Sequence, residues 1–233
     1  MQAIVLAGGF GTRLRARVAD LPKPMAPVAG RPFLEYLLDR LADAGCQRVV
    51  LATGHLSERI EAHFGRRYRE LDIAYSHEHT PLGTGGAIVQ ALHALPAEPT
   101  LALNGDSWLE LDLADFERWC IHQPEADAMV LRALPDVSRY GSVRLDGERV
   151  MAFGEKAGSG PGVINAGIYW LRRRSFAGLD LPTAFSIEND YFAPHVTQLG
   201  WRGYVSHGHF IDIGLPEDYD RAQTELPRWV AGQ

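Results

Sequence analysis

The chain has 233 residues, 46% of them hydrophobic and 22% charged, with a formal net charge of −6. That balance fits an ordinary globular protein with a sizeable core, and the acidic total argues against a general binder of nucleic acid or of anionic membranes. Two cysteines, Cys46 and Cys120, are too few for a disulfide framework or a zinc site.

Ala3 to Leu6 is a short apolar run ending in glycines, which predicts a buried strand. Without a basic flank it is not expected to be a signal peptide. No later run is long enough to span a bilayer, so the cytoplasm is the expected address. Phe33, Leu34, Leu37, Leu38 and Leu41 recur at helical spacing, and Gly45 is the expected stop. A strand follows over 48–52, then a short helix that Ser57 can cap, carrying Ile60 and Phe64 and stopping at Gly65. Strands are predicted over 72–76 and 100–103, with a helix over 86–95 between them. This alternation implies a mainly parallel sheet, whose ligands sit at the carboxyl ends of the strands.

The second half changes character. Segments 142–145 and 149–153 flank Asp146-Gly147, a hairpin signal. A glycine-rich loop over 158–162, a strand over 164–171 and a closing helix over 217–226 complete the reading. This half is expected to be a mixed, partly antiparallel addition to the parallel core, with no internal repeat and no long linker.

Leu6-Ala7-Gly8-Gly9-Phe10-Gly11-Thr12-Arg13-Leu14 directly follows the first strand. Such glycines let backbone N–H groups surround phosphate oxygens, and Arg13 could clamp a triphosphate bidentately. The loop is neither a Walker A sequence nor the dinucleotide fingerprint, because no Gly-Lys-Ser/Thr closes it and position 14 is Leu. A tight strand-to-helix turn is the competing explanation. Arg15, Arg17 and Lys23 then follow, with Pro22 and Pro24 expected to hold Lys23 in an extended, stiff segment. Of the 23 basic residues only Lys23 and Lys156 are lysines. A compact ammonium suits a single phosphate oxygen better than a planar guanidinium does.

Pro81 to Ala87 is a second glycine-rich turn, which could approach a flat ligand or simply carry Thr84 as a helix cap. Asp106, in Asn104-Gly105-Asp106, and Asp212, in Phe210-Ile211-Asp212-Ile213-Gly214, each follow an apolar run. Each could be a turn or cap residue, or together they could hold Mg²⁺ beside substrate phosphates. His77 and His79 lack a third ligand at metal spacing and fit solvent-facing or base-adjacent positions.

Together these segments resemble the sugar-nucleotide pyrophosphorylase family, nucleotidyltransferases that act on sugar 1-phosphates. The resemblance rests on the 6–14 loop, Pro22-Lys23-Pro24-Met25, Pro81 to Ala87, Asn104-Gly105-Asp106, Tyr140-Gly141, Glu155-Lys156, Asn165-Ala166-Gly167-Ile168-Tyr169 and Asp212-Ile213-Gly214. It implies a Rossmann-like, three-layer α/β nucleotidyltransferase fold with a mostly parallel central sheet and a mixed β addition. One domain is expected over 1–233, with a nucleotide-binding half over 1–112 and a sugar-phosphate-binding half over 113–233.

The resemblance also implies roles. Gly8, Gly9, Gly11, Thr12 and Arg13 would hold the nucleotide phosphates, with Lys23 by the α-phosphate. Leu6, Ala7, Glu78, Pro81, Gly83, Thr84 and Gly86 would border the base. Asp106 and Asp212 would hold Mg²⁺. Asn104, Tyr140, Gly141, Glu155, Asn165 and Ile168 would line the sugar, and Lys156 its phosphate. The short chain, the 82–87 turn and the run from Phe210 to Tyr219 look most like family members that transfer GMP to a heptose 1-phosphate. Glu78 could accept from guanine N1–H and N2–H₂. Mannose 1-phosphate guanylyltransferase and N-acetylmuramate 1-phosphate uridylyltransferase activities are the enzyme alternatives, and an inactive nucleotide-sensing subunit is the non-enzyme one. The expected partners are GTP and a sugar 1-phosphate, with no nucleic acid and no membrane. A homo-oligomer is left open.

Overall fold

The computed structural model describes residues 1–9, 14, 17–18, 20–123, 125–154 and 159–232. Of the residues singled out above, Gly11, Thr12, Arg13, Arg15, Glu155, Lys156 and Gly158 lie outside that set.

β1 (Gln2–Leu6) is buried on both faces. Ala3 and Val5 pack into one hydrophobic cluster and Ile4 into another. The same alternation runs through β4 (Arg48–Thr53), where Val49 and Leu51 oppose Val50 and Ala52. It recurs in β7 (Thr100–Asn104), where Leu101 and Leu103 oppose Ala102. Side chains alternate across a strand, so strands apolar at every position need cover on both sides. One layer contains α1 (Phe33–Asp43), with Phe33, Leu34, Leu37, Leu38 and Leu41 inward. The other contains α3 (Gly83–Leu92), with Ala87, Ile88, Ala91 and Leu92 inward. The result is three layers.

The remaining first-half elements are β2 (Pro27–Val28), β3 (Arg31–Pro32), α2 (Ser57–Phe64), β5 (Arg67–Tyr68), β6 (Leu71–His77) and β8 (Ser107–Leu109). Ser57 opens α2 but does not cap it. The cap position is Leu56 in a left-handed conformation, φ 60°, with no side-chain hydrogen bond. Lys23 is not extended either. Pro22 is (φ −63°, ψ 145°), but Lys23–Met25 forms a 3₁₀ turn, closed by the Ala26 N–H on the Lys23 carbonyl at 3.0 Å.

The second half contributes α4 (Leu113–Ile121), β9 (Ala128–Leu134), β10 (Ser142–Asp146), β11 (Arg149–Phe153) and β12 (Gly162–Leu171). A π-helical turn, Ile187–Phe192, leads into α5 (Ala193–Leu199), β13 (Arg202–Ser206), β14 (Phe210–Asp212) and α6 (Pro216–Ala231). Among the described residues, ten strands form one sheet in the order β10-β11-β13-β9-β12-β7-β1-β4-β6-β5. β6, β4, β1 and β7 are mutually parallel. β12 joins β7 antiparallel and carries the sheet on to β9. The mixed half is therefore a continuation of the same sheet, and β12 is the strand through which the two halves meet.

Candidate functional site

The site forms at the carboxyl ends of β1, β4, β6 and β7. A cavity of about 430 Å³ is lined there by Leu6, Gly8, Gly9, Gly54, His55, Glu78, His79, Pro81, Gly83, Thr84 and Ala87. Ala7 and Gly86 stand behind this lining. The Ala7 N–H is bonded to the Ala52 carbonyl at 2.8 Å, and a side chain on Gly86 would collide with the Thr183 carbonyl. Gly54 and His55 were not anticipated, although they follow the apolar β4 run as Gly8 and Gly9 follow β1.

Glu78 crosses this cavity. Its Oε2 accepts the Leu82 N–H at 2.9 Å. Its Oε1 lies where a Cβ on Gly8 would come within 2.6 Å, so glycine is what lets the carboxylate approach the loop. Burial raises the Glu78 pKa above the ordinary carboxylate value, partly offset by the Leu82 N–H. Thr84 is not a helix cap. It lies inside α3, where its hydroxyl donates to Glu188 Oε2 at 2.8 Å and accepts the Ile187 N–H at 2.9 Å. His77 faces Thr53 Oγ1 through Nδ1 at 3.1 Å, while His79 borders the cavity.

Next to this cavity lies a charged centre. Asp106 occupies the turn between β7 and β8, and Asp212 ends β14. β14 pairs antiparallel with β8, setting Asp212 opposite Ser107, and the Ile213 N–H bonds the Asp106 carbonyl at 2.9 Å. Lys23 Nζ lies 2.5 Å from Asp106 Oδ2 and 3.7 Å from Asp212 Oδ1. The Gly214 N–H donates to Asp212 Oδ1 at 2.7 Å. Burial, then the neighbouring Asp106 charge, raises the Asp212 pKa, while Lys23 and the Gly214 N–H act the other way. An ammonium already held by two carboxylates marks a cation-compatible place. Hard oxygen donors of this kind fit a divalent ion that also uses substrate phosphates. Among the described residues no group of three or more His, Cys, Asp or Glu side chains could hold a metal.

Beyond the charged centre, a second cavity of about 670 Å³ is lined by Asn104, Tyr140, Gly141, Phe153, Gly154, Ile164, Asn165, Glu188, Asn189 and Ala193. Asn104 Oδ1 is buried without a partner among the described residues, an acceptor that a hydroxyl could satisfy. Its amide fits because Gly167, at φ 72°, has no side chain; a Cβ there would come within 2.5 Å of Asn104 Nδ2. Asn165 is fixed at both ends, accepting the Gly167 N–H at 3.0 Å and donating to the Tyr169 hydroxyl at 2.6 Å. The β12–β9 register shifts between Asn165 and Tyr169, a local bulge beside the site. Ile168 is buried opposite Leu103 of β7 and is not among the lining residues. Tyr140 is braced by Phe210, with ring centroids 6.3 Å apart. Its neighbour Arg139 donates to the buried Asp218 of α6 at 2.8 Å.

Leu6 and Asn104 are register partners on adjacent strands. One lines the first cavity and the other lines the second, and Asp106 follows Asn104 by two residues. Asp106 thus lies two residues past the strand end that lines the second cavity and next to the strand whose end lines the first, while Lys23, Asp106 and Asp212 themselves line neither.

The nucleotidyl transferase family model matches residues 2–226. The chain is 41% identical over 231 residues to D-glycero-α-D-manno-heptose 1-phosphate guanylyltransferase of Aneurinibacillus thermoaerophilus, covering 99% of this chain and 100% of that protein. It is 38% identical over 220 residues to the enzyme of that name from Campylobacter jejuni, covering 94% and 97%. The crystal structure of HddC from Yersinia pseudotuberculosis complexed with GMP-PN superposes with a TM-score of 0.84 at 34% identity, covering 97% of this chain and 99% of that one. Matched by that family model over residues 2–226 and by these relatives over nearly its whole length, the chain belongs to the nucleotidyl transferase family.

Proposed function

We propose that this chain transfers GMP from GTP to D-glycero-α-D-manno-heptose 1-phosphate, releasing pyrophosphate and yielding GDP-heptose for surface polysaccharide synthesis in the cytoplasm. The observation that carries this reading is the Lys23–Asp106–Asp212 cluster, in which Asp106 closely follows Asn104 of the second cavity, whose register partner Leu6 lines the first. The relatives named above supply the guanosine and heptose assignments. A sugar 1-phosphate is ionised at neutral pH, so its oxygen attacks the α-phosphorus without a general base. Positioning and charge neutralisation do the rest. Lys23, held beside Asp106 and Asp212, would meet the α-phosphate. Asp106 and Asp212 would hold Mg²⁺, which neutralises phosphate charge when bound. Arg13 and Lys156 complete the cationic set in this reading, on the pyrophosphate and the sugar phosphate. Gly11 and Thr12 join the phosphate loop and Glu155 the sugar.

In the base cavity, Glu78 is the guanine-reading group, because its carboxylate is fixed by Leu82 and faces the glycine loop. A matrix of nucleoside triphosphates against sugar 1-phosphates tests the assignment. GTP should exceed UTP, CTP and dTTP in kcat/KM by about tenfold or more, since an unpaired buried polar group costs about 1–3 kcal/mol. Higher kcat/KM with UTP would replace the guanylyl reading with a uridylyl one. Glu78→Gln keeps an acceptor for Leu82 but puts an amide NH₂ donor where guanine also presents donors. It should raise KM for GTP about tenfold and erase most of the preference. The pH dependence follows from the raised Glu78 pKa: the binding form is the carboxylate, so KM for GTP should climb as pH falls through that raised value.

A further inference from the structure

The wall between the two cavities is built from side chains that neither the glycine loop nor the aspartates involve. Glu188, on the Ile187–Phe192 turn, lines the second cavity, and Thr84, on α3, lines the first. They are 104 residues apart and joined by one short hydrogen bond, Thr84 Oγ1 to Glu188 Oε2 at 2.8 Å. The same carboxylate oxygen accepts the Ser186 hydroxyl at 2.9 Å, and the Ile187 N–H donates back to Thr84 at 2.9 Å.

The bond continues outward on both sides. Toward the base, the Phe185 N–H donates to the Leu82 carbonyl at 2.8 Å and the Gly85 N–H donates to the Phe185 carbonyl at 3.0 Å. Leu82 is the residue whose N–H holds Glu78. Toward the sugar, the Tyr169 hydroxyl accepts from Asn165 and faces the Glu188 carboxylate. Tyr169 is fully buried, so its hydroxyl has no water to turn to. Thr84, Glu188, Tyr169 and Asn165 thus form one contiguous polar path from the first cavity to the second.

We propose that Glu188 is a positioning residue that couples the two substrate sites, so that nucleotide held in the first cavity tightens binding of the sugar phosphate in the second. The inference rests on the guanylyltransferase reading for the identity of the ligands, but not for the coupling itself. Coupling of this kind is a ratio of affinities and is reciprocal between the two ligands.

The test is calorimetric titration of the whole protein with heptose 1-phosphate, with and without a GTP analogue that cannot release pyrophosphate. Wild type should bind the sugar phosphate about fivefold or more tightly when the analogue is present. Thr84→Val keeps the shape and deletes the hydroxyl, and should bring that ratio close to one. Thr84→Ser restores the hydroxyl and should restore the ratio. Glu188→Gln should lower the ratio as Thr84→Val does, and the double variant should lose no more than the larger single loss, because both residues lie on one path. An unchanged ratio in Thr84→Val, additive losses in the double variant, or a ratio of one in wild type would each overturn the proposal. A purely structural Glu188 would weaken both ligands and leave the ratio intact, which also overturns it. Should wild type bind a UTP analogue instead, the guanosine reading fails on its own, and the same ratio measured with that analogue still decides the coupling.

Discussion

Asp106→Asn is expected to lower kcat by about 10²–10³-fold, the scale seen when one preorganised electrostatic contact is removed from a reacting centre. The substitution is nearly isosteric, and Asp106 is about one-third exposed, so its fold cost should be small. Lys23 Nζ lies 2.5 Å from the lost charge and keeps Asp212 at 3.7 Å as its remaining partner. Steady-state kinetics with saturating GTP and sugar phosphate, beside a melting curve, would show the two effects separately. Full turnover in the variant, or in wild type treated with a chelator, would remove the two-carboxylate site from the reaction. Lys23→Arg addresses the same centre from the other side. A guanidinium can still pair with the two carboxylates, but it is wider and longer than an ammonium and cannot put a point charge at one phosphate oxygen, so kcat should fall while KM for GTP changes little.

Gly105→Ala is the second large effect, and its origin is steric. The Gly105 N–H bonds the Leu6 carbonyl at 3.0 Å. An added methyl would collide with that carbonyl oxygen, lie 3.0 Å from its carbon and come within 3.4 Å of Pro24 Cγ. Leu6 is backbone at the end of a central strand, and Pro24 belongs to the stiff turn that carries Lys23, so neither yields easily. Overpacking of this sort costs about 1–3 kcal/mol. For a chain of this size that is roughly 2–12 °C in Tm. The displaced turn carries Asp106, and a shift of about 1 Å at a reacting centre can cost about 10²-fold in rate. Unchanged Tm and unchanged kcat would mean that the turn relaxes freely.

What could be read from residues alone follows the physics of each element. β1, β4 and β7 are legible because burial on both faces makes them apolar at every position. The charged groups of the centre stand out because prolines flank Lys23, Gly105 precedes Asp106 and Gly214 lies two residues past Asp212. α4 and β9 are hard to read because charge interrupts their pattern; Asp112 caps α4 by accepting the Asp115 N–H, with Glu117 and Arg118 on its exposed face. Lys23 itself was expected in extended chain, since Pro on either side favours it, but tertiary packing folds it into a 3₁₀ turn. Glu188 carries no local signal at all. Its π-helical turn has no sequence period of its own, and its partner Thr84 lies 104 residues away. The α3 start was placed three residues late for a related reason: Gly83 and Gly85 discourage a helix locally, yet contacts with Phe185 hold one there.

The ammonium between Asp106 and Asp212 makes the enzyme its own counter-ion store. Lys23 is tied to the chain through a proline-flanked turn, so its local concentration does not fall when the solution is diluted. On the proposed reading, a free divalent ion would have to compete with that tethered charge, whereas an ion arriving on a triphosphate would bring oxygens to which the lysine could move. One ammonium offsets only one of the two carboxylate charges, so on that reading the free site would keep a residual negative charge for a nucleotide-borne ion to meet.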